Sequence, residues 1–97
     1  MRLSSDDIAQ IRSLVQAHFG PSTGIWLFGS RLDDQARGGD IDLYLEPERL
    51  PSDNLFLARQ ALRGVLERQL RQPVDLVVNP GQPTAFMRQA RAEGQQL

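Results

Sequence analysis

The chain has 97 residues, of which 40% are hydrophobic and 24% charged, and its formal net charge is −1. A chain of this length builds one hydrophobic core, so we expect a single domain spanning residues 1–97. The absence of cysteine excludes disulfides and thiolate metal sites, and the near-neutral charge argues against a general nucleic-acid-binding surface. No apolar run has the length of a membrane span and no signal-peptide pattern opens the chain, so we expect a cytoplasmic protein.

The first part of the chain predicts a helix, a buried strand and a turn. Cap residues and first-turn acids at positions 4–7 start the helix, and apolar residues recur at helical spacing up to Phe19. The apolar run Ile25–Phe28 is typical of a buried strand. Gly29-Ser30 then leads into the polar stretch Arg31–Gly39, which is long enough for a short helix and a loop.

The second part predicts two more strands, each followed by a helix. Polar and apolar residues alternate from Asp40 to Glu46, which indicates a strand with one polar face. The capping segment 50–53 opens a long helix that Gln72-Pro73 ends. Val74–Val78 is a third strand, and Pro83-Thr84 starts a last helix running to about Glu93. This order of elements predicts an α/β (α+β) fold, a small mixed β-sheet with helices packed on one face.

Two aspartates on the second predicted strand are unusual. Asp40 and Asp42 are separated by one residue, so their side chains leave the same face of the strand, about 7 Å apart. Aspartate is a poor strand former, and two carboxylates this close repel each other unless a cation or solvent lies between them. Magnesium binds through a few carboxylates together with substrate phosphate oxygens. The pair therefore predicts a magnesium site.

A third carboxylate lies on the last predicted strand, where Asp75 is the only polar residue of an apolar run. If that strand lies beside the second one, Asp75 completes a cluster that could hold two metal ions about 4 Å apart. Asp75 is then the natural candidate to take the proton from an attacking hydroxyl, with help from the metal. Magnesium and manganese both suit such a cluster.

The turn after the first strand predicts a phosphate site. Gly29 allows a tight turn and close backbone approach, and the Ser30 hydroxyl and exposed amides can hold phosphate oxygens. Arg31 and Arg37 are close enough in sequence to contact a triphosphate. A Gly-Ser turn or an Asp-x-Asp pair is common by itself. Their combination with a third isolated aspartate favours a nucleotide site.

Segments 27–31 (LFGSR) and 39–43 (GDIDL) together resemble the signature of the DNA polymerase β-like nucleotidyltransferase superfamily. In size the chain is most similar to the minimal nucleotidyltransferases, the MNT proteins, and the likeness covers nearly its whole length. The resemblance implies that Asp40 and Asp42 bind metal, that Asp75 is the third carboxylate, and that the Gly-Ser turn binds phosphate. It also implies ATP as substrate and two Mg²⁺ ions as cofactors.

MNT proteins are commonly paired with a helical protein of the HEPN or substrate-binding type. In several pairs the MNT protein is the antitoxin and adenylylates a tyrosine on its HEPN toxin, and the resemblance implies the same activity for this chain. Because 97 residues leave little room for an acceptor pocket, a partner protein or a homodimer cleft would supply it. One alternative is a catalytically silent antitoxin or nucleotide-binding module that acts by complex formation. Another is nucleotidyl transfer to a small molecule.

Two aromatic residues near the predicted site are interpreted as structural. Trp26 lies in the apolar first strand and is expected to pack in the interior. Tyr44 shares the polar face of its strand with Asp42, where we expect it to cover the sheet instead of contacting nucleotide.

Overall fold

The computed structural model describes residues 3–29 and 40–97. Within these ranges the elements are, in chain order, α1 (Ser5–Phe19), β1 (Gly24–Phe28), β2 (Ile41–Glu46), α2 (Leu55–Leu70), β3 (Val74–Val78), α3 (Ala85–Glu93) and β4 (Gln95–Gln96). The short helix expected within 31–39 lies outside the described residues. The other predicted elements are confirmed, and the two-residue β4 is an addition that its sequence does not signal. None of the described helices has the length and apolarity needed to cross a bilayer.

The four strands form one mixed sheet in the order β3-β2-β1-β4. β1 runs antiparallel to β2, with Phe28 opposite Asp42. β3 runs parallel to β2 on its other side, with Asp75 opposite Asp42. β4 pairs with β1 in antiparallel orientation, through Gln95 and Gln96. The predicted α+β fold with a small mixed sheet is confirmed.

The two long helices cover one face of this sheet. Their apolar stripes meet the inward residues of β1, β2 and β3 in a single core. The side chains in it that are fully buried are Ile11, Val15, Phe19, Leu27, Ile41, Leu43, Leu45, Leu62, Leu66, Val74 and Leu76. Burial of each large aliphatic side chain contributes roughly 1.5–3 kcal/mol to folding. For α1 and α2, the expectation that helices pack on one face is therefore correct.

The short helix α3 departs from that expectation, because it lies on the opposite face, against β1 and β2. Its one buried residue, Ala90, packs with Trp26 and Tyr44. These two aromatic rings project from neighbouring strands with their centroids 5.6 Å apart. Aromatic side chains of this size need an apolar cover, and α3 supplies it on the face that also carries Asp42.

Side-chain caps explain where the long helices begin. Ser4 and Asp7 form a reciprocal capping box at α1, in which the Ser4 hydroxyl accepts from the Asp7 amide at 3.0 Å. α2 begins after Asn54, whose side-chain oxygen accepts from the Leu57 amide at 3.1 Å. The predicted capping segment 50–53 therefore ends one residue too early.

Candidate active site

β2 and β3 bring two of the predicted aspartates side by side. Asp42 and Asp75 are directly opposite each other in the parallel register. Adjacent strands lie about 4.8 Å apart, and residues paired in this way project to the same face of the sheet. By the alternation along β2, this is the face that carries Tyr44. The strand of Asp75 therefore lies beside the strand of Asp42, as the sequence analysis required for Asp75 to join the cluster.

The three predicted carboxylates interact electrostatically. Asp40 lies one residue before β2 and is exposed, as is Asp75, whereas Asp42 is partly buried between them. Burial raises the pKa of Asp42 above 3.8, and the charges of Asp75 and then Asp40 raise it further. Because like charges disfavour the ionised form, the fold holds these carboxylates together at a cost in stability.

This arrangement fits a magnesium ion that binds together with the phosphates of a substrate. Among residues 3–29 and 40–97, no three His, Cys, Asp or Glu side chains are already gathered into an ion-binding group. Magnesium does not need such a group, since it keeps several waters and uses one or two carboxylates together with substrate phosphates. Mutually repelling carboxylates on one open face suit that chemistry, and they do not suit an ion enclosed by protein ligands alone.

Gly29 places the turn after β1 directly against this cluster. Its φ is +78°, and a Cβ atom at this position would overlap the Oδ2 atom of Asp42. Only glycine meets both conditions without strain. A group bound at this turn would therefore lie beside the Asp42 carboxylate. The other predicted phosphate-site residues, Ser30, Arg31 and Arg37, lie outside the described residues.

A polar network fixes α3 on the same face. Tyr44 is 0% exposed, and its hydroxyl donates to Glu46 at 2.9 Å and accepts from the Asn79 amide at 3.1 Å. Arg91 of α3 donates to Glu46 at 2.9 Å and lies over the Trp26 ring, 4.8 Å from its centroid. Trp26 and Tyr44 are therefore buried packing residues, as the sequence predicts, and Tyr44 also hydrogen-bonds within the fold.

Solved structures of toxin–antitoxin complexes share this architecture. A chain from a complex of a tri-AMPylated Shewanella oneidensis HEPN toxin with an MNT antitoxin matches with a TM-score of 0.71 and 25% identity, covering 97% of this chain and 71% of that chain. A chain from a toxin–antitoxin complex with AMP-PNP matches with a TM-score of 0.70 and 27% identity, over 97% and 72% of the two chains. The chain is MNT-like.

A third solved structure adds to this likeness. It is a MntA-HpeT toxin–antitoxin mutant in which two aspartates separated by one residue are changed to glutamate, with a TM-score of 0.68 and 25% identity over 97% of the MNT-like chain and 71% of its own. No protein-family model and no curated protein sequence matches the MNT-like chain. The predicted resemblance to minimal nucleotidyltransferases is thus confirmed by structure.

A cavity of about 270 Å³ opens beside Gly29. It is lined by Phe28, Gly29, Phe86, Gln89, Ala90 and Glu93. The α3 residues were not among the predicted site residues. The sequence spacing of Phe86, Gln89 and Glu93 already indicates one shared helix face. That this face lies beside Gly29 is seen only in the tertiary structure.

The raised pKa of Asp42 predicts how the stability of the MNT-like chain depends on pH. The unfolded chain releases this proton near 3.8, whereas the folded chain holds it to a higher pH. The free energy of unfolding is therefore expected to fall as the pH rises from below 3.8 through the raised pKa. Urea unfolding of the wild type and Asp42→Asn at a series of pH values measures this. The stability advantage of the variant should grow with pH, and an advantage independent of pH would contradict the assignment.

Proposed function

We propose that this chain is a metal-dependent nucleotidyltransferase that transfers AMP from ATP to a tyrosine of a HEPN-type toxin in the cytoplasm, and so acts as an antitoxin. The observation that carries the proposal is the pairing of Asp42 with Asp75 on a sheet face that the Gly29 turn borders. The solved complexes support it, since one contains a tri-AMPylated HEPN toxin and another contains AMP-PNP.

In the proposed site, Asp40 and Asp42 hold Mg²⁺ together with the triphosphate, and Asp75 joins them as the third carboxylate. When bound, the two metal ions offset the negative charge of the phosphates and lower the pKa of the attacking hydroxyl. The repulsion of Asp42 by Asp75 and Asp40 supports this assignment, because a dication held by these carboxylates would offset that repulsion. Manganese suits the same oxygen ligands.

The Gly29-Ser30 turn is proposed to hold the phosphate oxygens. The positive φ of Gly29 lets the backbone approach Asp42 closely, so phosphates bound at the turn lie next to the metal-binding carboxylates. Arg31 and Arg37 are proposed to contact the triphosphate, since guanidinium groups pair well with phosphate oxygens.

The proposed reaction is an in-line displacement at the α-phosphorus. The tyrosine hydroxyl oxygen forms a bond to the α-phosphorus, the bond to the bridging oxygen of the β-phosphate breaks, and pyrophosphate leaves. Asp75 takes the hydroxyl proton. Its exposed position on β3 supports this role, because a residue that meets a partner protein's side chain must be accessible from outside.

A second candidate function is a catalytically silent antitoxin or nucleotide-binding module that neutralises its partner by forming a complex. This function would need no bound ion; the lack of a ready ion-binding group among the described residues is compatible with it and equally with magnesium held together with a substrate. The surface that binds the HEPN-type partner would be the same for the enzyme and for the silent antitoxin.

For the enzyme, a homodimer is a second way of completing the acceptor cleft.

The deciding experiment is intact-mass spectrometry of the HEPN-type protein that co-purifies with this chain, after incubation with ATP and Mg²⁺. We expect the partner to gain the mass of one or more AMP groups, and peptide mapping to place them on tyrosine. A stable complex without any mass gain would contradict the enzyme and support the silent antitoxin. Label on a small molecule in the absence of a partner would instead support a small-molecule acceptor.

A further inference from the structure

We propose that the cavity between Gly29 and α3 binds the nucleobase of the triphosphate, with Phe86 as the stacking surface. This inference rests on the proposed function, and it assigns the base-binding part of the same site. The cavity is separate from the three aspartates and shares no side chain with them.

The position of the cavity matches the build of a nucleotide. Gly29 lines the cavity, and a Cβ atom added to it would overlap the Asp42 carboxylate. In a nucleoside triphosphate only the ribose separates the base from the phosphates, so a base subsite must lie next to the phosphate subsite. The cavity and the Asp42 carboxylate therefore both adjoin Gly29, and Phe28, which also lines the cavity, pairs with Asp42 in the sheet.

Phe86 supplies a free aromatic surface in this cavity. Its side chain is 56% exposed although it is fully apolar, and its ring forms a T-shaped pair with the ring of Phe28, with centroids 5.7 Å apart and planes at 80°. This geometry leaves one ring face of Phe86 uncovered by Phe28. Nucleobases stack on such faces with little dependence on sequence, because every base has a π surface.

The rim of the cavity offers polar partners to the edge of a base. Gln89 donates to both carboxylate oxygens of Glu93 at 3.3 Å, which aligns the two side chains along α3. A glutamine amide carries donors and an acceptor side by side and can pair with the edge of adenine. A volume of about 270 Å³ lies just below the usual range of ligand pockets, as expected for a subsite that takes only the base.

Helix α3, which carries Phe86 and Gln89, is held in place before any ligand binds. Ala90 is buried against the aromatic pair on the sheet, and Arg91 is bound to Glu46. Binding then requires little ordering of α3, which lowers the entropic cost of association.

The test compares binding of ATP and of inorganic tripolyphosphate, each with Mg²⁺, by calorimetry. Phe86→Ala is expected to weaken ATP binding about tenfold and to leave tripolyphosphate binding unchanged, because only ATP has a base. Phe86→Tyr, which retains the ring, is expected to bind ATP like the wild type. Phe56→Ala is the matched control, since Phe56 is 58% exposed on α2 and lines no part of the cavity.

Two results would overturn the base subsite. The first is ATP affinity that is unchanged in Phe86→Ala, and an accompanying loss of partner binding would then identify Phe86 as a docking contact. The second is an equal loss for ATP and tripolyphosphate. Other results would overturn the proposed function itself. They are a wild-type chain that binds neither ATP nor tripolyphosphate, and an Asp42→Asn variant that still transfers AMP at the wild-type rate.

Discussion

Asp42→Asn is expected to slow AMP transfer strongly and, at neutral pH, to raise the free energy of unfolding of the protein. Asparagine keeps the shape of the side chain but removes the charge that would hold the metal and triphosphate. Loss of one preorganised electrostatic partner at a reacting centre lowers rates by on the order of a hundred- to a thousandfold. The same change removes a partly buried charge that Asp75 and Asp40 repel, so the melting temperature should rise.

The opposite directions of the two effects make this experiment informative. Transfer is followed by the intact mass of the partner protein, and stability by thermal unfolding of the chain alone. Asp6→Asn is the matched control, because Asp6 is exposed in the first turn of α1, and it should leave transfer unchanged. Retained transfer in Asp42→Asn would exclude a catalytic role for this carboxylate, and a large loss of stability would show that the site is structural.

Gly29→Ala is expected to reduce both stability and AMP transfer. Forcing a residue with a Cβ atom into a left-handed conformation costs about 1–2 kcal/mol, and here φ is +78°. The new methyl group would also collide with the Asp42 carboxylate, so the turn or the aspartate must move. Since a displacement of about 1 Å at a reacting centre can cost a hundredfold in rate, we expect a loss of transfer of roughly that size.

Gly64→Ala provides a control with the opposite sign. Gly64 lies in the interior of α2, and a Cβ atom there would meet only Arg68, at 3.4 Å. Alanine at a helical position of this kind is expected to raise the free energy of unfolding by about 0.5–1 kcal/mol. Urea unfolding measures both variants. Equal effects of the two substitutions would show that the conformation of Gly29 is not constrained by the site.

Local pattern alone predicted the elements that carry the candidate site. The alternation around Asp40 and Asp42 indicates a strand, and a strand's period of two places both side chains on one face whatever the rest of the fold does. The cap at Ser4 and the break at Gln72-Pro73 are likewise local, because capping and proline act within a few residues. For these features the neighbouring sequence contains all the necessary information.

The role of Asp75 was predicted only on a condition. The sequence indicates its strand, but whether that strand lies beside β2 depends on the path of the chain through α2. The structure places β3 parallel to β2, with Asp75 opposite Asp42. A strand–helix–strand connection favours such a pairing, but the register follows from the packing of the whole core.

The sequence by itself predicted the helices α1, α2 and α3, the strands β1, β2 and β3, and the place of Asp42 on the polar face of its strand. Only the tertiary structure decided that glycine is required at the turn, and that α3 crosses to the opposite face of the sheet, where it covers Trp26 and brings Phe86 into the cavity that Gly29 lines. The physical reason is the range of the interactions. Helix capping and backbone sterics act between near neighbours in sequence. An aromatic side chain, in contrast, can be buried by any apolar surface that the folded chain brings to it.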